Sequence, residues 1–236
     1  FDKKINPSLL INALSHRGPD DNGYLNFNEG IFVHTRLSVI DLSQNAKQPM
    51  SSKCGRYHII FNGEIYNFLE LKKDLIKKGY NFYSNSDTEV ILVGFQEWKH
   101  KLFHKLNGMF AFSIYDKISK ELLLVRDRMG IKPLYYTYRE NKISFSSEVS
   151  ALNISHKLDI DPNSLYDCIQ LGAFSKNKTI FKDVYSLEPG HFIKFNFHNL
   201  FEKKKYIDVD NNNCGAYESL SYNDAKKTLR NKLDKA

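Results

Sequence analysis

The sequence predicts a layered α+β domain rather than a doubly wound parallel one. Residues 109–147 contain four strand-like segments in succession, separated by short polar turns. Helix-like segments lie mainly before this region, and the regular alternation of strand and helix that builds a parallel sheet is missing. Hydrophobic residues make up 42% of the 236 residues, which is enough for one sizeable core.

The first 42 residues predict a helix followed by a β-hairpin. Residues 5–15 carry an apolar helical band, and residues 23–42 predict two strands joined at Asn28-Glu29-Gly30. Arg36 falls near the middle of the second strand. An arginine is rarely buried unless it is paired, and its planar fork suits bidentate capture of a carboxylate. An arginine at a strand edge that reaches water is an equal alternative from spacing alone.

Residues 57–79 predict a strand followed by an amphipathic helix. Residues 57–61 alternate as a strand does, and helical apolar spacing begins after Asn67 and stops at Gly79. We therefore expect residues 62–64 in the turn between the two elements, with Asn67 as the helix cap. Asn62 suits an ordinary turn, or its side-chain N–H and the Gly63 backbone N–H could converge on an oxyanion.

A second helix is predicted to begin at Ser86, with Ser86 and Glu89 as a capping box. Asp87 then lies in the first turn, where the helix dipole favours a negative charge whatever its role. Its functional alternative is to bind a substrate ammonium group.

Later elements follow from caps and composition. Asp161-Pro162 predicts a helix that ends at Gly172, and residues 185–197 predict a last strand pair. Residues 208–218 are polar and rich in Asn, which is typical of a linker. A fresh helix is predicted after it, capped near Ser221.

Composition excludes several classes of function. No apolar stretch is long enough to span a bilayer and no signal-peptide pattern is present, so we expect a cytoplasmic protein without membrane attachment. The net charge is +7, but the lysines are scattered apart from residues 203–205, so no nucleic-acid partner is expected. The three cysteines, Cys54, Cys168 and Cys214, form no metal-type pair, and we predict no metal site and no cofactor in this chain, with Cys168 buried.

Eight short motifs occur in a fixed order along the chain. They are HRGPDD (16–21), RLSVIDL (36–42), NGEIYN (62–67), SDTEV (86–90), NGMFAFSIYD (107–116), RDRMGIKPLYY (126–136), SFSSEVSAL (144–152) and LEPGH (187–191). Together they resemble the N-terminal glutaminase domain of glutamine-dependent asparagine synthetases, a class II glutamine amidotransferase domain. The resemblance implies a four-layer αββα sandwich of two antiparallel sheets, of the N-terminal-nucleophile (Ntn) hydrolase type.

The resemblance also implies a glutamine site. L-Glutamine would be hydrolysed to glutamate and ammonia through a thioester, with residues 16–20 as a loop beside the nucleophile. The substrate carboxylate and ammonium would each meet one charged clamp, and two donors would form the oxyanion hole. The implied substrate-binding residues are Arg36, Leu37, Val39, Ile40, Glu64 and Asp87, and the implied oxyanion donors are Asn62 and Gly63.

The implied nucleophile is an N-terminal Cys that lies upstream of Phe1, with its own α-amino group as the base. No cysteine of the printed chain matches it, so we expect this chain by itself to be inactive. A nucleophile-less glutamine-binding or assembly module is the alternative from another class.

The predicted organisation is a glutaminase domain over residues 1–210, a linker over 211–218, and the first helix of a synthetase domain over 219–236. That C-terminal domain would be the partner in cis and would require ATP and Mg²⁺, and a homodimer is left open. The ammonia acceptor would be aspartate or, in the runner-up reading, a sugar carboxylate in surface-polysaccharide synthesis.

Overall fold

Antiparallel strand pairing organises the chain, of which a computed structural model describes residues 6–197, 200–207 and 220–234. The strands are β1 (Asp21–Phe27), β2 (Gly30–Arg36), β3 (Met50–Ser51), β4 (Tyr57–Ile65), β5 (Gly108–Asp116), β6 (Glu121–Arg126), β7 (Tyr135–Arg139), β8 (Lys142–Ser146), β9 (Val184–Ser186), β10 (His191–Asn196) and β11 (Leu200–Lys205). The helices are α1 (Pro7–Leu14), α2 (Phe68–Lys77), α3 (Asp87–Trp98), α4 (Leu102–Lys105), α5 (Val149–Ser155), α6 (Pro162–Leu171) and α7 (Tyr222–Leu233).

The strands form one large sheet and two small ones. The large sheet has the order β11-β10-β6-β5-β4-β3, and the small sheets are β1-β2 and β8-β7-β9. Helices α2, α3 and α4 cover one face of the large sheet, while its other face packs against the small sheets. Helices α1 and α5 contact each other and the outer side of β2 and β8. These layers confirm the predicted α+β class and the αββα sandwich.

Strand β5 lies at the centre of the large sheet and is buried on both faces. Phe110, Phe112 and Ile114 belong to the core under the helices, whereas Ala111 and Tyr115 belong to the core between the sheets. A strand covered on both sides needs apolar residues at nearly every position. This explains the almost continuous apolar run from residue 109 to 115.

The segment after residue 61 differs from the sequence-based expectation. Residues 62–64 do not form a turn, because β4 continues to Ile65 and pairs throughout with β5. Asn67 occupies the N-cap position of α2, as expected, but its side chain makes no capping hydrogen bond. Its side chain donates to the Lys105 carbonyl at 2.9 Å and accepts from the Asn107 N–H at 3.0 Å. The polar residues of this segment therefore join β4 and α2 to the distant entry of β5.

Two further expectations need correction. Arg36 is the last residue of β2 rather than a mid-strand residue. Ser86 caps α3 by accepting from the Thr88 N–H, but the Glu89 carboxylate does not complete a capping box, since it accepts from the N–H groups of Tyr83 and Ser84.

The remaining predicted elements are confirmed with one change. Helix α1, the hairpin turn before Gly30 and the end of α6 at Gly172 (φ 67°) agree with expectation, as does the Ser221 cap of α7. Residues 185–197 contain two strands, but β9 pairs with β7 while β10 pairs with β6. The predicted linker over 211–218 lies outside the described residues.

Candidate active site

The residues expected at the site from the sequence share one cavity of about 450 Å³. It lies beside the face of β4 that is turned towards the small sheets. The end of β2, the loop over residues 37–43 and the start of α3 complete its walls. Its volume is in the range that suits a small ligand. The lining includes all eight expected residues, Arg36, Leu37, Val39, Ile40, Asn62, Gly63, Glu64 and Asp87.

The open edge of β4 presents backbone N–H groups to this cavity. Strand β3 pairs with β4 only as far as Ile59. Beyond it, the Phe61 N–H donates to Gln48 Oε1 at 2.6 Å, and the Ile65 N–H donates to Asp87 Oδ2 at 3.0 Å. Alternate N–H groups of a strand point to the same edge, so the Gly63 N–H points outward between these two side chains.

Gly63 is required by the backbone at this point. Its φ is 154°, and a Cβ atom on it would lie 2.1 Å from the Met109 carbonyl oxygen on β5. Only glycine allows β4 to approach β5 so closely.

Asn62 faces the space between the sheets. It pairs with Ala111, whose side chain belongs to the core between the sheets, and Glu64, two residues on, faces the same way. The Asn62 Nδ2 atom is buried and has no hydrogen-bond partner among the described residues. A buried amide donor without a partner costs roughly 1–3 kcal/mol, and in a native protein it needs a specific explanation.

Arg36 is a buried cation, only 7% exposed. Its guanidinium donates to the carbonyl oxygens of Asp41 and Ser43, and it forms no ion pair with a described carboxylate. The loop it supports is held from both sides, because Asp20 accepts from the Ser38 N–H and Asp41 accepts from the Asn85 N–H. Arg36 is therefore positioned by hydrogen bonds to neutral carbonyls, and the Asp21 and Asp41 carboxylates lie near enough to interact with its charge.

The remaining expected loop residues line the cavity from more exposed positions. Leu37 and Val39 are 62% and 67% exposed, and Ile40 is half-buried. All three belong to the loop whose carbonyls Arg36 binds.

Asp87 is the first residue of α3 and is 5% exposed. Burial raises the pKa of its carboxyl to about 6, and the negative charge of Glu64 acts in the same direction. Hydrogen bonds from the N–H groups of Ile65 and Thr88 oppose this rise. An acidic pair at this point of the cavity favours a cationic ligand group.

The loop over residues 16–20 begins as a short 3₁₀ turn at the cavity wall. Arg17 lines the cavity and donates to Glu148 at 3.1 Å, and the same carboxylate oxygen lies 2.8 Å from His16 Nε2. Glu148 thereby ties this loop to the segment that leads into α5.

Sequence reasoning missed His34 and Gln48, which also line the cavity. His34 Nε2 lies 3.2 Å from the Phe61 carbonyl oxygen, and burial lowers the pKa of this imidazole to about 4. Gln48 contacts both the N–H and the carbonyl of Phe61. Neither residue stands in a motif or periodicity that could have singled it out, because both act through a strand that is distant in sequence.

The described cysteines lie away from this cavity. Cys54 is exposed in the turn before β4, and Cys168 on α6 is half-buried rather than buried as expected. In the described part of the chain no group of His, Cys, Asp or Glu is arranged to hold a metal ion. No helix within the described ranges has the length and apolar character to cross a membrane.

The fold is shared with solved structures of other proteins. Glutamine phosphoribosylpyrophosphate amidotransferase from B. subtilis superimposes with a TM-score of 0.64 at 18% identity, over 86% of this chain and 47% of that one. An allosteric regulatory enzyme of purine biosynthesis gives a TM-score of 0.55 at 19% identity, over 77% and 36%. Residues 3–207 match the model of the glutamine amidotransferase domain family, and the chain belongs to that family.

Curated relatives are similar over most of this chain. Asparagine synthetase [glutamine-hydrolyzing] 1 of Bacillus subtilis is 42% identical over 176 residues, which are 74% of this chain and 28% of the relative. Asparagine synthetase [glutamine-hydrolyzing] 3 of the same organism is 34% identical over 89% of this chain and 36% of the relative. Amidase chry2 of Gibberella zeae is 29% identical over 94% and 33%. The chain thus spans about a third of the length of these relatives.

Proposed function

We propose that this chain is the glutaminase domain of a glutamine-hydrolysing asparagine synthetase and that it releases ammonia from the side-chain amide of glutamine. The observation that carries the proposal is the buried, unpartnered Asn62 Nδ2 beside the outward Gly63 N–H, in a cavity with one buried cation and one buried carboxylate. Family membership and the names of the similar synthetases support it.

The charged groups match the ends of a free amino acid. The buried Arg36 guanidinium would bind the glutamine α-carboxylate, since charge-assisted hydrogen bonds of this kind are strong. Asp87 would bind the α-ammonium, with Glu64 adding negative charge nearby. Two fixed clamps at one end of the substrate would orient its side-chain amide for attack.

The neutral hydrogen-bond donors match the side-chain amide, at the other end of glutamine. When a thiolate attacks the amide carbon, the carbonyl oxygen gains negative charge and must be stabilised by donors that are already in place. Asn62 Nδ2 and the Gly63 N–H would supply them. The α-amino base passes the proton taken from the thiol to the amide nitrogen, and the tetrahedral intermediate expels ammonia to leave a thioester, which water hydrolyses to glutamate and the free thiol.

The proposal assigns the thiol to a cysteine that precedes Phe1. Support comes from the family match, since residues 3–207 belong to the glutamine amidotransferase domain family. Neither Cys54 nor Cys168 lines the cavity, so neither is a candidate for the nucleophile.

The acceptor of ammonia would be set by a C-terminal synthetase domain that uses ATP and Mg²⁺, with α7 as its first helix. The relatives are about three times as long as this chain, which leaves room for such a domain. Incubation of the complete enzyme with glutamine, aspartate and ATP should yield asparagine. Glutamate release without asparagine would refute the assignment of aspartate as acceptor.

The glutaminase step is tested by glutamate release from the complete enzyme. Asn62→Ala should lower kcat by about 100–1,000-fold with little change in the KM for glutamine, because the donor acts on charge that develops only during reaction. Asn26→Ala, at an exposed asparagine of β1, is the matched control. A kcat in Asn62→Ala equal to that of the control would contradict the oxyanion role.

A further inference from the structure

We infer that Gln48 is a positioning residue for the oxyanion site. Its side-chain amide takes the place of a neighbouring strand at the open edge of β4 and fixes the Phe61 backbone, so that the adjacent Asn62 and Gly63 present their donors to the cavity. The oxyanion role of those donors belongs to the proposed function, and the inference rests on it. The orientation of the strand edge by Gln48 can be tested separately.

The geometry at Phe61 is that of a strand pair made by a side chain. Gln48 is 8% exposed, accepts from the Phe61 N–H through Oε1 at 2.6 Å, and donates to the Phe61 carbonyl through Nε2 at 3.2 Å. In an antiparallel ladder one residue exchanges two such bonds with the residue opposite. Since β3 stops pairing at Ile59, the primary amide of Gln48 supplies the next pair.

His34 reinforces the same carbonyl from the facing sheet. A carbonyl oxygen can only accept, so His34 Nε2, at 3.2 Å from it, must carry the hydrogen. Gln48 Nε2 also lies 3.4 Å from Thr88 Oγ1, one residue after Asp87. Gln48 therefore connects the strand that carries the oxyanion donors to the helix that carries the acidic clamp.

The consequence for catalysis follows from the rigidity of the peptide unit. The Phe61 carbonyl and the Asn62 N–H belong to one planar group, so a rotation of the former moves the Cα of Asn62. A misplacement of about 1 Å at a catalytic group can lower the rate about 100-fold. Arg36 forms no hydrogen bond with Gln48 among the described residues, and the Asp87 carboxylate keeps its bond from the Ile65 N–H, so the substrate clamps should feel the loss of Gln48 less than the oxyanion donors do.

The kinetic test uses the complete enzyme and three variants. Gln48→Met removes both polar contacts at similar volume and should lower kcat for glutamine hydrolysis by about 10–100-fold, with KM within about threefold. Gln44→Met, at an exposed glutamine of the preceding 3₁₀ turn, is the matched control and should behave as the parent enzyme. Equal kcat values for the two variants would overturn the inference, as would a loss confined to KM.

Gln48→Glu adds a second measurement, the pH dependence of activity, which should not change if Gln48 only fills space. The ionised carboxyl can accept from the Phe61 N–H but cannot donate to the Phe61 carbonyl, whereas the protonated carboxyl can do both. The activity of this variant relative to the parent enzyme should therefore rise as the pH is lowered, while the same ratio for Gln48→Met stays flat. A flat ratio for Gln48→Glu would overturn the inference.

Amide hydrogen exchange separates this inference from the proposed function. The Phe61 N–H should exchange faster in Gln48→Met than in Gln44→Met, while the Ile65 N–H, which is held by Asp87, serves as the internal reference. Unchanged exchange at Phe61 would overturn the inference whether or not glutamine is hydrolysed. Faster exchange at Phe61 in Gln48→Met, found together with a parent enzyme that releases no glutamate, would support the contact with Gln48 and refute the proposed function.

Discussion

The Asp87 carboxylate accepts a hydrogen bond from the Ile65 N–H at 3.0 Å, so a side chain at the start of α3 completes the edge of β4. Gln48 does the same at Phe61, four residues earlier on the strand. The Gly63 N–H lies between these two contacts and points to the cavity. One strand edge thus holds a proposed oxyanion donor and positions the proposed ammonium clamp.

Glutamine binding should weaken as the pH falls through about 6. The clamp must be ionised to attract the ammonium, and burial raises the pKa of Asp87 to about 6, so the binding form is lost below that pH. The pH profile of kcat/KM for glutamine should therefore fall on the acidic side with an apparent pKa near this value. In Asp87→Asn the KM should be high at every pH, and a profile that keeps the acidic step would assign it to another group.

Asp87→Asn should stabilise the fold at neutral pH. A carboxyl whose pKa in the folded state lies above its ordinary value of 3.8 destabilises the folded state when it is ionised. The gain should be about 1–3 kcal/mol in the free energy of unfolding at pH 7.5, and it should shrink as the pH is lowered from about 6 towards 4. Urea denaturation at pH 7.5 and at about pH 4 measures this gain in unfolding free energy. An equal effect at both ends would show that the gain does not come from the charge.

Arg36→Lys should raise the KM for glutamine by about 10–100-fold, with a smaller effect on kcat. Lysine keeps the charge but loses the planar fork, which here donates to two loop carbonyls and would also meet the substrate carboxylate. Arg139→Lys is the control, because Arg139 also donates to a backbone carbonyl, that of Lys182, but does not line the cavity. Similar KM values in the two variants would contradict the clamp.

Gly63→Ala should be much more damaging than Gly55→Ala. The first substitution places a Cβ 2.1 Å from the Met109 carbonyl oxygen, so β4 and β5 must separate. Gly55 also has a positive φ, 69°, but has open space around it, so its substitution should cost only about 1–2 kcal/mol. We expect a loss of about 3–5 kcal/mol in unfolding free energy for Gly63→Ala, measured in urea. Equal losses would mean that the contact with β5 relaxes freely.

Asp127→Asn should destabilise the fold without changing the KM for glutamine. Its fully buried carboxylate accepts from four backbone N–H groups, those of Phe110, Met129, Ile131 and Lys132. An amide turns one acceptor into a donor against these N–H groups, for a cost of about 2–4 kcal/mol. Asp74→Asn, on the exposed face of α2, should change stability by less than about 0.5 kcal/mol. Thermal unfolding distinguishes the two, and equal Tm values would refute the bonding role of Asp127.

Local sequence was sufficient to predict an element when the residues at its own ends determine where it begins and stops. Helix α6 begins after the Asp161 side-chain cap and ends at Gly172 in the left-handed conformation, and both ends could be predicted from the sequence. The β1–β2 hairpin likewise turns where a short polar segment separates two strand patterns. The family resemblance that the motifs carry also implied eight site residues, and all eight line one cavity.

The tertiary structure decided how those residues are used. Asn62-Gly63-Glu64 suggests a turn when it is considered alone, yet it is strand because β5, more than forty residues later, supplies its hydrogen-bond partners. Asn67 is the N-cap residue of α2, yet its side-chain amide bonds the backbone of Lys105 and Asn107 rather than that of the helix. No sequence pattern pointed to Gln48, because its contacts form only once folding places Phe61 beside it. Backbone polar groups take whichever partner folding brings within reach, and a local pattern does not contain partners that are distant along the chain.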